Sequence, residues 1–188
     1  MAKNVAIDKK KKVWVPIVAS KEFRNTEIGE TYVEEPAASV GKFIETNLMF
    51  LTNDSKKQGT NLRFRINEYK NNVLYTELIG LRIQVAQLKR ITRKQKDKVE
   101  DSFVCVTKDN IKVRLKPIIV TKSKVTNSTL TALRMKSRDF ISGLAKNMSF
   151  SQLMLDVVNN DLQKNIRINV SKILPVANCT IKAALRES

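Results

Sequence analysis

The stretch NLRFRINEYKNNVLYTELI, residues 61–79, decides the class of fold. From Asn61 to Tyr69 apolar and polar residues alternate: Leu62, Phe64 and Ile66 fall on one side, Arg63, Arg65 and Asn67 on the other. A period of two is the signature of a half-buried strand. Asn71-Asn72 follows. Asparagine tolerates positive φ, so this pair predicts a two-residue hairpin turn. Val73 to Ile79 then returns as the partner strand.

Working outward, Val40 to Leu51 (VGKFIETNLMFL) is rich in β-branched and aromatic residues and reads as a strand, with Asn53-Asp54 and Gly59 marking a loop. On the other side the period changes. Leu81, Val85, Leu88 and Ile91 approach helical spacing, so Leu81 to Arg93 is expected as helix. A second strand pair comes next: Val99 to Thr107, a turn at Asp109-Asn110, and Ile111 to Thr121. In the last of these Ile111, Val113 and Leu115 alternate with Lys112, Arg114 and Lys116. One face is apolar and the other carries three cations at ~6.5–7 Å spacing.

The C-terminal third reads mainly as helix. Asn127 or Ser128 is a candidate cap for a helix to about Asn147, with Leu130, Leu133, Ser137, Phe140, Ile141 and Leu144 on one side. Ser149-x-x-Gln152 is a capping-box pattern opening a helix to about Asn159. A third helix is expected from Asp161 to Leu174, ended by Pro175, with a last strand over Val176 to Leu185.

Charge points to the partner. The 188 residues include 35 Lys+Arg against 18 Asp+Glu, a net charge of +17. A free globule has no folding reason to carry such self-repulsion, and a polyanion relieves it. The cations concentrate in two windows, seven against one acid from Arg82 to Lys98 and ten against two acids from Lys108 to Lys146. The candidate RNA contacts are Lys9, Lys10, Lys11, Lys12, Arg63, Arg65, Lys89, Arg90, Arg93, Lys94, Lys96, Lys98, Lys112, Arg114, Lys116, Lys122, Lys124, Arg134 and Arg138. Residues 1–12 are expected to be a basic flexible arm that orders on RNA. Aromatic residues are only 6% and none lies among Lys89 to Lys98, so phosphates and folded RNA shape suit these surfaces better than bare bases. Trp14, where the fold is expected to begin, reads as a core or surface-anchoring aromatic ahead of a base-stacking one. Residues 21–35 are locally acidic, with Glu22, Glu27, Glu30, Glu34 and Glu35, and read as loop with short strands facing away from RNA or toward a basic protein neighbour.

Other classes lose ground. There is no histidine, which removes the usual general base and the commonest zinc ligand. No glycine-rich phosphate cradle occurs. A carboxylate-only metal nuclease would have to draw on Glu68, Glu77, Glu100 and Asp101, which are candidates by type alone. No cofactor, catalytic residue or metal ligand is expected. Cys105 and Cys179 are read as free thiols. No apolar run approaches the ~20 residues of a membrane span, and Pro16 interrupts the short apolar stretch after the basic N-terminus, so no membrane partner is expected and the chain reads as cytosolic.

Several stretches resemble one family in order and spacing: EIGET (27–31), VGKFIETNL with LTND (40–54), NNVLYTELIG (71–80), VTKDNIKVRLKPIIVT (106–121), and Ile173-Leu174-Pro175-Val176. Together they resemble the archaeal and eukaryotic small-subunit ribosomal proteins called S-three-A-e, or S-one-e, with a length closer to archaeal members. Leu81 stands where the family commonly has His, and Leu174 where Tyr is usual. The resemblance implies a structural constituent of the ribosomal platform without catalysis. It implies rRNA of the 3′ region and neighbouring ribosomal proteins as partners, with mRNA nearby at the exit site. The fold class so expected is α+β: a β-barrel-like antiparallel core, helices mainly C-terminal, a basic arm over 1–12 and one RNA-binding domain over 13–188. The alternative is a ribosome-associated RNA-binding or translation factor.

Overall fold

The computed structural model of the chain describes residues 11–92 and 96–187. It is a mixed α+β protein whose long helices lie in the C-terminal half. Two compact units are present. One takes the chain up to Ile44 together with Phe64–Leu78; the other takes Glu45–Arg63 and everything from Ile79 on. Strands β4 (Thr60–Lys70) and β5 (Val73–Ile83) run through both.

In the first unit β1 (Val13–Val18) and β2 (Glu27–Val33) form an antiparallel ladder from Val13 opposite Val33 to Val18 opposite Glu27. The acidic stretch thus holds one strand of seven residues after a short 3-10 turn at Lys21–Phe23. Val15, Ile17, Ile66 and Leu74 pack as a core with Val33 and Ile44 against them. Phe23 meets Phe64 edge-on, with ring centroids 5.9 Å apart. The β4–β5 turn is the asparagine pair, with φ of 52° at Asn71 and 62° at Asn72, as a type I′ turn requires.

One pairing departs from the antiparallel expectation. β1 runs parallel to β5, Ile17 beside Leu74 and Val18 beside Tyr75. Parallel neighbours need a long connection between them, and the chain through β2, β3 and β4 supplies it.

β3 (Phe43–Asn47) leaves the first unit after Ile44, and in the second unit it ends sooner than its composition suggests. Leu48–Thr52 is helical (α1), because the Asn47 side chain caps it, accepting from the Met49 amide at 2.9 Å, and Asn53 closes it at φ 53°. β5 continues to Ile83 before α2 (Val85–Ile91) begins. The helical period read from Leu81 therefore starts one turn late.

β8 (Lys112–Thr121) is the organising strand of this unit. It pairs antiparallel with β9 (Val176–Arg186) along its length, and on its other side with β6 (Lys98–Glu100) and β7 (Phe103–Val106). The strand expected over Val99–Thr107 is thus broken at Asp101-Ser102. The break faces Lys116 and Pro117. Proline has no N–H to give a ladder, and at this point the β8–β9 register also slips: Lys116 faces Ala183 and Pro117 faces Ile181, leaving Lys182 as the extra residue of a bulge. β9 lies against β5 through Gly80, Leu81 and Arg82. A Cβ on Gly80 would come 2.4 Å from the Ala184 carbonyl oxygen, so only glycine allows this approach.

Three helices complete the unit. α3 (Asn127–Asn147) buries Leu133, Ser137, Ile141 and Ala145; Leu130, Phe140 and Leu144 are half-buried beside them. α4 (Phe150–Asn159) opens on Ser149, whose hydroxyl accepts from the Gln152 amide at 3.3 Å. α5 (Asp161–Val170) ends before Leu174, the chain turning through Ser171 to Leu174 on hydrogen bonds back to Arg167, Asn169 and Val170.

Candidate nucleic-acid interface

The cationic face of β8 is built by strand alternation. Val113 and Leu115 are fully buried, which turns Lys112 and Arg114 outward into solvent, while Lys116 is half-buried. Val104 and Val106 of β7 lie opposite Arg114 and Lys112 and share their exposed face. Arg114 does not stand alone: its Nε donates to Glu187 Oε1.

Beside the proline break a cleft of about 370 Å³ opens. Lys116, Arg134 and Lys182 line it together with Glu100, Asp101, Ser102, Pro117 and Ile118. Of the cations picked from sequence, Lys116 and Arg134 come from separate elements and meet at this cleft. Lys182 escapes the sequence reading, because a single lysine among the mostly apolar residues of Val176–Leu185 carries no local signal; as the extra residue of the bulge it sits half-buried at the cleft. Lys98 Nζ bonds Glu100 Oε1 at 3.0 Å and holds that carboxyl below its ordinary value, with the Lys182 ammonium adding to the effect. Arg138, one turn beyond Arg134 on the exposed side of α3, lies with its guanidinium 5.5 Å from the Phe103 ring centroid.

The remaining candidates divide between the units. Lys89 and Arg90 occupy the last turn of α2, where cations also suit the helix dipole. Lys96, Lys122 and Lys124 are exposed in connections. Arg63 lies 3.9 Å from Glu45, and Lys98 is held by Glu100, so these two are partly neutralised at home. Arg65 belongs to the first unit and is exposed. Lys11 and Lys12 are exposed at its start, with Lys12 4.0 Å from Glu34. Lys9, Lys10, Arg93 and Lys94 lie outside the described residues, as does most of the arm expected over 1–12.

The carboxylates considered for metal do not assemble. Glu68 pairs with Lys70 at 2.5 Å and Glu77 accepts from Asn67 at 2.9 Å in the first unit, whereas Glu100 and Asp101 belong to the second. Among the described residues no three metal-ligating side chains converge, and no helix is long and apolar enough to cross a membrane.

Comparison with known proteins decides the family. The profile of the Ribosomal S3Ae family matches residues 2–184. The chain belongs to the ribosomal S3Ae family. Among its relatives, the small ribosomal subunit protein eS1 of Nanoarchaeum equitans is 30% identical over 168 residues, 89% of this chain and 85% of the relative. That of Haloarcula marismortui is 31% identical over 186 residues, 99% of this chain and 87% of the relative. That of Methanobrevibacter smithii is 30% identical over 172 residues, 92% and 89%. As an S3Ae protein the chain is a structural constituent of the small subunit of cytoplasmic ribosomes and not an enzyme, with rRNA and other ribosomal proteins as its partners.

Proposed function

We propose that this S3Ae protein holds rRNA of the 3′ region at the subunit platform, close to where mRNA leaves, and that residues 13–188 act there as one RNA-binding domain behind a basic arm over 1–12. The observation that carries the reading is the sidedness of β8 and its cleft. Lys112 and Arg114 point to solvent beside fully buried neighbours, and Lys116, Arg134 and Lys182 gather at one opening. Cations in such an arrangement gain little from each other and much from phosphate oxygens, which position a protein on RNA without reading its bases. The exposed Lys89, Arg90, Lys96, Lys122 and Lys124 extend the same chemistry. The platform address rests on the family resemblance of the stretches from Glu27 to Val176.

Ultraviolet crosslinking of the assembled subunit, with sequencing of the RNA attached to this chain, tests the reading. Fragments of the 3′ region of the small-subunit rRNA are the expected product. Crosslinks confined to another rRNA domain would refute the address, and an absence of RNA at β8 and α3 would refute the surface.

A further inference from the structure

The first unit carries a surface that phosphate binding leaves unused. The β1–β2 register sets Trp14 opposite Tyr32. Directly opposed residues share a face of the ladder, and the rings lie with centroids 4.9 Å apart, tilted by 34°. Val15 and Ile17 point to the core, so this face points out: Trp14 is 61% exposed and Tyr32 52%. Two large aromatic rings held together in water mark a contact surface more than a solvated one.

The surroundings of the pair are acidic. Glu30 lies two residues before Tyr32 on the same face, opposite Pro16, and Glu34 follows two residues after it. From 21 to 35 the chain carries five glutamates against Lys21 and Arg24, on a protein whose net charge is +17. The geometry already holds a cation: Lys12 Nζ lies 5.9 Å from the Tyr32 ring centroid and 4.0 Å from the Glu34 carboxylate. An aromatic face flanked by carboxylates is the chemistry that receives an ammonium or, better, a planar guanidinium. Phosphates would be repelled by the same glutamates. Among the described residues β2 is also the terminal strand in the pairing order, so its outer edge has backbone groups to offer an extended segment.

We propose that Trp14, Tyr32, Glu30 and Glu34 form a docking face for a Lys/Arg-rich segment of another protein of the small subunit, laid along β2 with a cationic side chain on the aromatic pair. The proposal rests on the chain's place in the subunit but not on its RNA contacts.

Trp14 is the only tryptophan, so its emission reports on this face alone. The full chain, free of RNA, is titrated with an arginine octamer, which the net charge of the protein repels elsewhere. A saturable change in Trp14 emission is expected. It should weaken roughly tenfold in Glu30→Gln/Glu34→Gln and in Tyr32→Leu, exposed changes that leave the core intact. In the assembled subunit, a benzophenone amino acid in place of Tyr32 should crosslink to a Lys/Arg-rich peptide of another ribosomal protein. No octamer binding, equal binding by the variants, or an adduct that is absent, is rRNA, or is the chain's own first ten residues would each overturn the proposal. Failure of the RNA reading would show in the RNA crosslinks while leaving the octamer titration unchanged.

Discussion

Arg114 on β8 donates a hydrogen bond from Nε to the carboxylate of Glu187, 73 positions along the chain. The contact is set by the ladder. Val113 faces Arg186, and the Glu187 amide donates to the Lys112 carbonyl at 2.9 Å, so the carboxylate is tethered beside the cationic face. Under the proposed function, in which Arg114 takes an rRNA phosphate, Glu187 competes for it. Glu187→Gln should tighten RNA binding several-fold and steepen the fall of log K with log salt by up to about 0.9. Since the pair is partly exposed, melting should shift by no more than about 1 kcal/mol of stability. RNA titrations at three salt concentrations beside thermal melts check both; an unchanged slope would mean that Arg114 takes no phosphate.

The two faces of β8 should separate cleanly under substitution. Lys112→Gln with Arg114→Gln removes solvent-facing charge from a self-repelling protein, so the fold should be nearly untouched. RNA affinity should drop and the salt slope flatten by about 0.7–0.9 per lost contact. Val113, fully buried, is the opposite case. Val113→Asp buries a carboxylate without a partner and should cost several kcal/mol of stability, roughly 3–5. Early melting of the charge variant with normal RNA binding would show instead that these cations serve the fold.

Gly80 should be irreplaceable for a reason of space. Its missing Cβ is where the Ala184 carbonyl oxygen and the Leu185 side chain lie, at 2.4 and 2.7 Å. Gly80→Ala must push β5 and β9 apart and should destabilise by about 1–3 kcal/mol. Urea unfolding of this variant against Gly143→Ala, where nothing lies within 4 Å and helix propensity rises, gives the contrast. Equal midpoints would contradict the close β5–β9 approach.

The cysteines should be inert until the protein unfolds. Burial pushes the Cys105 thiol from the ordinary 9.0 up to about 11 and Cys179 up to about 12. Cys105 also donates to the Val113 carbonyl oxygen at 3.5 Å. In the unfolded chain both thiols lose protons near 9, so above that pH the native state holds more protons. The stability they contribute is complete below pH 9 and declines as pH rises toward 11 and 12. Iodoacetamide at about pH 8 should label neither thiol in the native chain and both in urea, read by intact mass. Rapid native labelling of either residue would rule out its burial.

Much of the scaffold was legible because its signals are short-range. The positive φ of Asn71-Asn72, the Ser149 cap over Gln152 and the alternation of Lys112, Val113, Arg114 and Leu115 depend on torsional preferences and periods within a few residues. The charge balance and the ordered family stretches likewise required no coordinates to point to a basic protein of the small ribosomal subunit. Leu48–Thr52 departs from its β-like composition because one capping side chain, Asn47, overrules it.

What the sequence determined by itself, then, was where most strands and helices form, which side of each is apolar, and the family to which the chain belongs. Tertiary structure alone decided which residues meet. It placed β1 parallel to β5, split β6 from β7 opposite Pro117, set Lys182 at one cleft with Lys116 and Arg134, brought the Trp14 and Tyr32 rings together and bound Arg114 to Glu187. The physical reason is that strand pairing joins residues far apart in the chain. Its register follows from the packing of whole faces, and a bulge at one proline can re-aim a side chain that no local pattern marks.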